Sequence, residues 1–195
     1  MANGPTGCTW PGTDELMIAY HDGEWGTPVH DDKKLFEFMV LDAFQAGLSW
    51  KTILHKRKAF EKAFAGFDPK KVAKFGADKV EQLMLDAGIV RNRLKINAAI
   101  KNAQLFLQVQ TEFGSFDKYI WQFTGGKMQV NNWASPSQIP ATSPESDAMS
   151  KDLLKRGFKF VGSTICYAFM QAAGMINDHV TFCPRWKEVQ KEKTR

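Results

Sequence analysis

No apolar run in this sequence approaches the roughly 18 residues that a membrane-spanning helix needs. Met1 to Pro5 also lacks the charged start and following apolar stretch of a secretory leader. A cytoplasmic protein with no membrane partner is therefore expected. Cysteine is scarce: Cys8, Cys166 and Cys183 are three thiols, an odd number that suits no closed disulfide framework but is compatible with metal binding plus one buried thiol. Sustained β-type alternation, internal repeats and low-complexity tracts are missing too, which leaves an all-α class. Charge of one sign is not extreme: 26 Lys and Arg against 21 Asp and Glu give +5. That excess draws the chain toward polyanions and is equally compatible with an ordinary soluble surface. At 195 residues, 44% of them hydrophobic, the expectation is a single domain over 1–195, as one compact body or two helical lobes, with a basic tail over 184–195.

What is present is helical periodicity. Asp31-Asp32 caps a helix running to about Ala46, and a second runs from Thr52 toward Phe64. Asp68-Pro69 opens a short helix, Asp78 to Ala87 reads as another closed by Gly88, and Arg91 to Phe113 is a long amphipathic stretch. From Gly125 to Ser143 the composition shifts to Gly, Pro, Ser, Asn and Gln, an irregular connection. Ser143-Pro144-Glu145 then starts a helix ending near Arg156.

The stretch Leu153 to Thr164 places Gly157 and Gly162 between helices, with Lys155, Arg156 and Lys159 around the turn. It reads as a helix-hairpin-helix. Glycine permits positive φ and close backbone approach, and a helix starting at Ser163 or Thr164 leaves amide hydrogens pointing outward for an anion. An ordinary helix corner with a solvated basic rim fits the same residues, and nothing there is built to read base edges.

Cys8 and His21 lie thirteen positions apart, and His179 and Cys183 four apart, a spacing that shares a helical face. Together they compose a Cys2His2 set, the complement structural zinc prefers, which would staple the chain ends together. His30 and His55 have no cysteine at comparable spacing, and Cys166 sits in an apolar stretch that reads as core. Asp42 falls on the apolar stripe of its helix, where a carboxylate must find a partner, line a cavity or change its pKa. Trp10, Tyr20, Trp25 and Trp50 crowd the first quarter of the chain, where they serve either as core or as stacking faces for an extruded base.

Several segments carry a resemblance: Cys8-x-Trp10, Ala19-Tyr20-His21-Asp22-x-Glu24-Trp25-Gly26, Gln45-Ala46-Gly47-Leu48-Ser49-Trp50, Asp86-Ala87-Gly88-Ile89, Arg156 to Gly162, and Asn177-Asp178-His179. In order and spacing, from Cys8 to about Cys183, the chain resembles the 3-methyladenine DNA glycosylase I family of helix-hairpin-helix DNA glycosylases. The resemblance implies zinc on Cys8, His21, His179 and Cys183. It also implies a base pocket at Trp10, Tyr20, Trp25 and Trp50, with the Tyr20 hydroxyl toward the base and Gly47 and Leu48 entering the duplex beside the lesion. The implied activity is base-excision repair: a monomer acts on alkylated double-stranded DNA and releases free 3-methyladenine, in the bacterial cytoplasm at the nucleoid.

One position departs. The family pattern is similar to Leu-Glu-Gly where this chain has Leu41-Asp42-Ala43, so the carboxylate expected to act in the pocket is one methylene shorter. An altered alkyl-base preference, a lesion-binding module that does not cleave, and a helical scaffold for protein partners are the competing readings. Asp178, beside His179, is expected to support the cluster rather than to act in catalysis.

Overall fold

The structure, a computed structural model, describes residues 7–191. Residues 192–195 of the basic tail and the extreme N-terminal residues lie outside the described part. It is mostly helical, and several helices start at a side-chain cap. Asp31 accepts from the Lys34 amide (2.8 Å) to open α2, Asp32–Gln45. Ser49 opens α3, Trp50–Ala63, and Asp68 opens the short α4, Pro69–Val72. Asn92 caps the long α6, Arg93–Phe113, which ends at Gly114 in a left-handed conformation. Ser143 and Ser146 form a reciprocal capping box at the start of α8, Pro144–Lys155.

α5, Ala77–Leu85, stops two residues short of expectation, because Asp86 turns its carboxylate to the Gly88 amide (2.7 Å) and closes a turn instead. Four helices have no counterpart in the sequence reading or only a start: α1, Glu15–Gly23; α7, Phe116–Trp121; α9, Ser163–Ala172; and α10, Pro184–Glu188. A strand pair also appears where none was expected. β1, Gln129–Val130, lies parallel to β2, Ile176–Asn177, with Gln129 opposite Ile176. Two residues are too few to display alternation, yet the pair pins the otherwise irregular 125–143 segment against the end of α9.

α2 is the central helix. From Leu35 to Phe44 all its residues except Glu37 are buried, as for a helix surrounded on every side, and it packs against α3, α6, α7 and α9. Asp42 therefore stands inside the protein. Beside it, the chain from Gly26 to Val29 is laid along the end of α9: Gly26 and Val29 donate to the Gln171 and Ala173 carbonyls (3.1 and 3.0 Å). Gly174, at φ +66°, lets the two backbones meet; a Cβ there would sit 2.3 Å from the Thr27 carbonyl carbon. No helix among the described residues is long and apolar enough to cross a membrane.

Candidate active site and Cys/His cluster

A pocket of about 370 Å³ opens between the N-terminal segment, α1, α2, the start of α3 and α9. Trp10, Tyr20, Trp25, Asp42 and Trp50 all line it, so the structure brings together every residue the sequence reading assigned to base and acid. The rings interlock: Trp10 meets Trp25 edge-on at 5.1 Å and Tyr20 at 6.3 Å, and Tyr20 tilts against Trp50 at 5.1 Å. Gln45, Gln171, Pro136 and Ile139 complete the lining. Gln45 opens one of the segments that carry the resemblance. Pro136 and Ile139 came from the segment without periodicity, and nothing local marked them.

Asp42 is 2% exposed and its Oδ2 has no hydrogen-bond partner among the described residues; the indole Nε1 atoms of Trp10 and Trp50 have none either. Buried polar atoms are ordinarily paired, so three orphans around one cavity mark a surface shaped for something else. Desolvation pushes the Asp42 carboxyl well above its ordinary range. Burial, and then the Asp42 charge, likewise raise the Tyr20 phenol, which remains a donor.

Behind the pocket wall lies the second constellation. Cys8, His21, His179 and Cys183 are all buried, with one ligand atom from each within 4.8 Å of the others. His21 Nε2 and His179 Nδ1 are 3.1 Å apart, and Cys183 Sγ lies 3.8 and 3.7 Å from them; Cys8 Sγ is 3.7 Å from His179 Nδ1. A tetrahedron with bonds of about 2.0–2.3 Å has edges of about 3.3–3.8 Å; the three sulfur–nitrogen distances fall in that range and the nitrogen–nitrogen one is slightly shorter. The outer ring nitrogens are already engaged. His21 Nδ1 donates to Asp22 Oδ1 (2.6 Å) and His179 Nε2 to the Trp25 carbonyl (3.1 Å). Both acceptors lack hydrogens, so each inner nitrogen keeps its lone pair for a cation. One expectation fails in its reason. His179 and Cys183 share no helix: a turn closed by Cys183 N–H to the Val180 carbonyl (2.8 Å) joins them, and Pro184 then starts α10.

The remaining histidines and the third cysteine stand apart. His30 pairs with Asp117 (2.6 Å) and His55 with Asp14 (2.9 Å), while Cys166 points at the Val161 carbonyl within the core. Asp178 is fully buried and fully occupied: Oδ1 accepts from Asn131 and Trp133 (2.7 Å each), Oδ2 from Tyr167 (2.6 Å) and Gln171 (2.7 Å). It ties the 131–133 segment to α9 and has no lone pair aimed into the pocket.

Two exposed features flank this interior. The α2–α3 turn carries Gly47, at φ +76°, and Leu48, 42% exposed. The α8–α9 turn carries Lys155, Lys159 and Thr164 on its surface. Positive φ occurs there at Gly157 (+96°) and Phe160 (+55°), whereas Gly162 is extended (φ −61°) and caps α9 with no side-chain bond, leaving the first amides of that helix open. Asn102, buried in α6, brackets the turn by accepting from the Lys159 amide (2.8 Å) and donating to the Lys159 carbonyl (2.9 Å). Arg156 bonds Glu112 (2.6 Å) and Asp152 (2.9 Å) over the rings of Phe113 and Tyr119, so its guanidinium braces the turn. The Ser163 hydroxyl bonds Asp147 (2.5 Å) and Ser146 (2.8 Å), which leaves its backbone amide as the group for an anion.

The chain matches the methyladenine glycosylase family over residues 10–186. It is 51% identical over 176 residues to DNA-3-methyladenine glycosylase 1 of Escherichia coli (strain K12), covering 90% of this chain and 94% of that one. It is 44% identical over 179 residues to DNA-3-methyladenine glycosylase of Haemophilus influenzae, covering 92% and 97%. A solved structure of 3-methyladenine DNA glycosylase I from Staphylococcus aureus, described as the structural basis of its 3-methyladenine recognition, superimposes with a TM-score of 0.90 at 35% identity, over 99% of this chain and all of that one.

Proposed function

The chain belongs to the methyladenine glycosylase family, and we propose that it releases 3-methyladenine from alkylated double-stranded DNA by hydrolysing the bond between base and deoxyribose. The observation that carries this reading is the coincidence, in one pocket, of a buried carboxylate oxygen and two indole N–H groups without partners, among ring faces.

An adenine alkylated at N3 is a cation whose glycosidic bond is already weak. Water bonds to C1′ as the C1′–N9 bond breaks; its electron pair neutralises the departing purine, and the water proton is released. Little acid catalysis is needed. The protein must extrude the base, at a cost of a few kcal/mol, and distinguish a cation from neutral adenine. A desolvated cation over an aromatic face gains about 2 kcal/mol that a neutral base does not. Asp42, whose carboxyl is pushed up by burial, pairs as a carboxylate with that charge, and it disfavours a neutral purine that offers no such pairing. Its reach is one methylene less than that of the family glutamate, which makes the range of alkyl bases accepted a property to measure on this chain.

In this reading Leu48 enters the duplex. The α8–α9 turn acts as a helix-hairpin-helix: Gly157, Gly162 and the amides of Ser163 and Thr164 hold a phosphate, Lys155 and Lys159 add charge, and Arg156 stiffens the turn. Cys8, His21, His179 and Cys183 hold a structural Zn2+. The ion contributes folding free energy and, with four protein ligands, leaves no open position for chemistry. The protein works as a single domain and a monomer in the bacterial cytoplasm, at the nucleoid.

The test is release of base from methylated duplex by the purified protein, identified by chromatography, with Asp42→Asn alongside. Release of 3-methyladenine by the wild type only is the expected result. DNA binding with no base released by either protein would make the chain a lesion-binding module.

A further inference from the structure

Lys95 breaks two local rules at once. It stands in the first turn of α6, where the helix dipole disfavours a cation, and it is only 6% exposed. Its ammonium crosses to another element, donating to the Phe44 carbonyl (2.9 Å) and the Ala46 carbonyl (2.5 Å) at the end of α2. There the dipole reverses sign, and the cation satisfies carbonyls that the helix leaves open.

The position of those acceptors matters. Ala46 (φ −45°, ψ 117°) and Gly47 (φ +76°) are the central residues of a type II turn closed by the Leu48 amide on the Gln45 carbonyl (2.6 Å). A type II turn differs from type I by a flip of its central peptide, and the oxygen of that peptide is the Ala46 carbonyl which Lys95 holds. A Cβ on Gly47 would meet nothing within 4 Å, so packing does not fix the turn. Gln45 and Trp50, on either side of it, line the pocket, and Leu48 is its exposed tip.

We propose that Lys95 is a positioning residue for DNA engagement. By gripping the Ala46 carbonyl it selects the type II turn, and so sets the direction in which Leu48 meets the duplex, without touching the base itself. The proposal rests on the glycosylase reading, but one of its readouts does not need activity. In Lys95→Met the Leu48 amide should exchange with solvent at least about tenfold faster, whatever happens to DNA. Unchanged exchange overturns the assignment.

If the wild type excises 3-methyladenine, Lys95→Met should slow single-turnover excision from duplex about tenfold or more and keep its affinity for free 3-methyladenine within about twofold. Adding Leu48→Ala to it should then cost less than Leu48→Ala costs alone. Equal loss of excision and free-base affinity, or full additivity, overturns the assignment. Should Lys95→Met not fold, Gly47→Ala strains the same turn with Lys95 intact. It must show the same split between duplex excision and free-base affinity, and retention of both refutes a role for the turn.

Discussion

The Cys/His cluster and the aromatic pocket share a wall yet are built on opposite terms. Around the cluster both outer ring nitrogens are engaged: Asp22 holds one ring, the Trp25 carbonyl the other, and four ligand atoms lie within 4.8 Å of one another. Around the pocket, polar atoms are left without partners and a carboxyl is held out of water. In the proposed reading the first arrangement serves the fold, and the second leaves polar atoms for a ligand to satisfy. Tyr20 and His21 are neighbours on α1, one turned to each side, and Trp25 lines the pocket while its ring meets His179 at 4.6 Å. The two regions thus share Trp25 and adjacent residues of α1.

The comparison breaks most visibly if the cluster is damaged. Cys183→Ser should lose bound zinc and several kcal/mol of stability, since metal binding there is folding free energy; metal analysis with thermal unfolding reads both, and a normal melt would contradict the staple. Asp178→Asn comes next. It turns an amide toward donors in a fully buried hub and should cost about 2–4 kcal/mol with zinc content unchanged. Loss of excision without loss of stability would instead place Asp178 in the chemistry.

On the pocket side, Asp42→Asn should reduce excision at least about tenfold, or 1.4 kcal/mol, and unchanged single-turnover excision would remove Asp42 from the mechanism. The same variant should melt higher than the wild type, with a sign that follows from its raised pKa. Below the ordinary aspartate value of 3.8 the carboxyl is protonated in both the folded and unfolded chain. As pH rises past that value, only the unfolded chain ionises freely, so the wild type loses stability until the folded group also titrates. The advantage of Asp42→Asn should therefore vanish near pH 4 and grow toward neutrality; a constant difference in melting temperature would show that the carboxyl is not held neutral. The smallest effects belong to the outer surface. Lys155→Ala and Lys159→Ala should each weaken DNA binding a few-fold and lower the salt dependence by about one counterion, with zinc, stability and free-base affinity untouched.

Much of this was legible in the sequence where the physics is local. Caps at Asp31, Asp68 and Ser143 announce helices because the bonds they make reach only two or three residues ahead, whereas the Ser49 cap puts the start of α3 two residues before the expected Thr52. The Cys2His2 set could be read from residue type, although the helical argument for His179 and Cys183 was wrong, since Pro184 starts a helix only after them. Three things were invisible because their partners are far away in sequence. Lys95 bonds carbonyls 51 and 49 positions back, Asn102 a residue 57 positions ahead, and Arg156 a glutamate 44 positions back. A lone sequence shows a lysine in a polar stretch and a basic hairpin, not which cation is already spent.

The closing of the cluster by Cys8 and His179, 171 positions apart, also sets an order of events during synthesis. The four ligands can meet only once the segment bearing His179 and Cys183 has been made. A product truncated before His179 would keep most of the helices and lack two of the four ligand atoms that join its two ends.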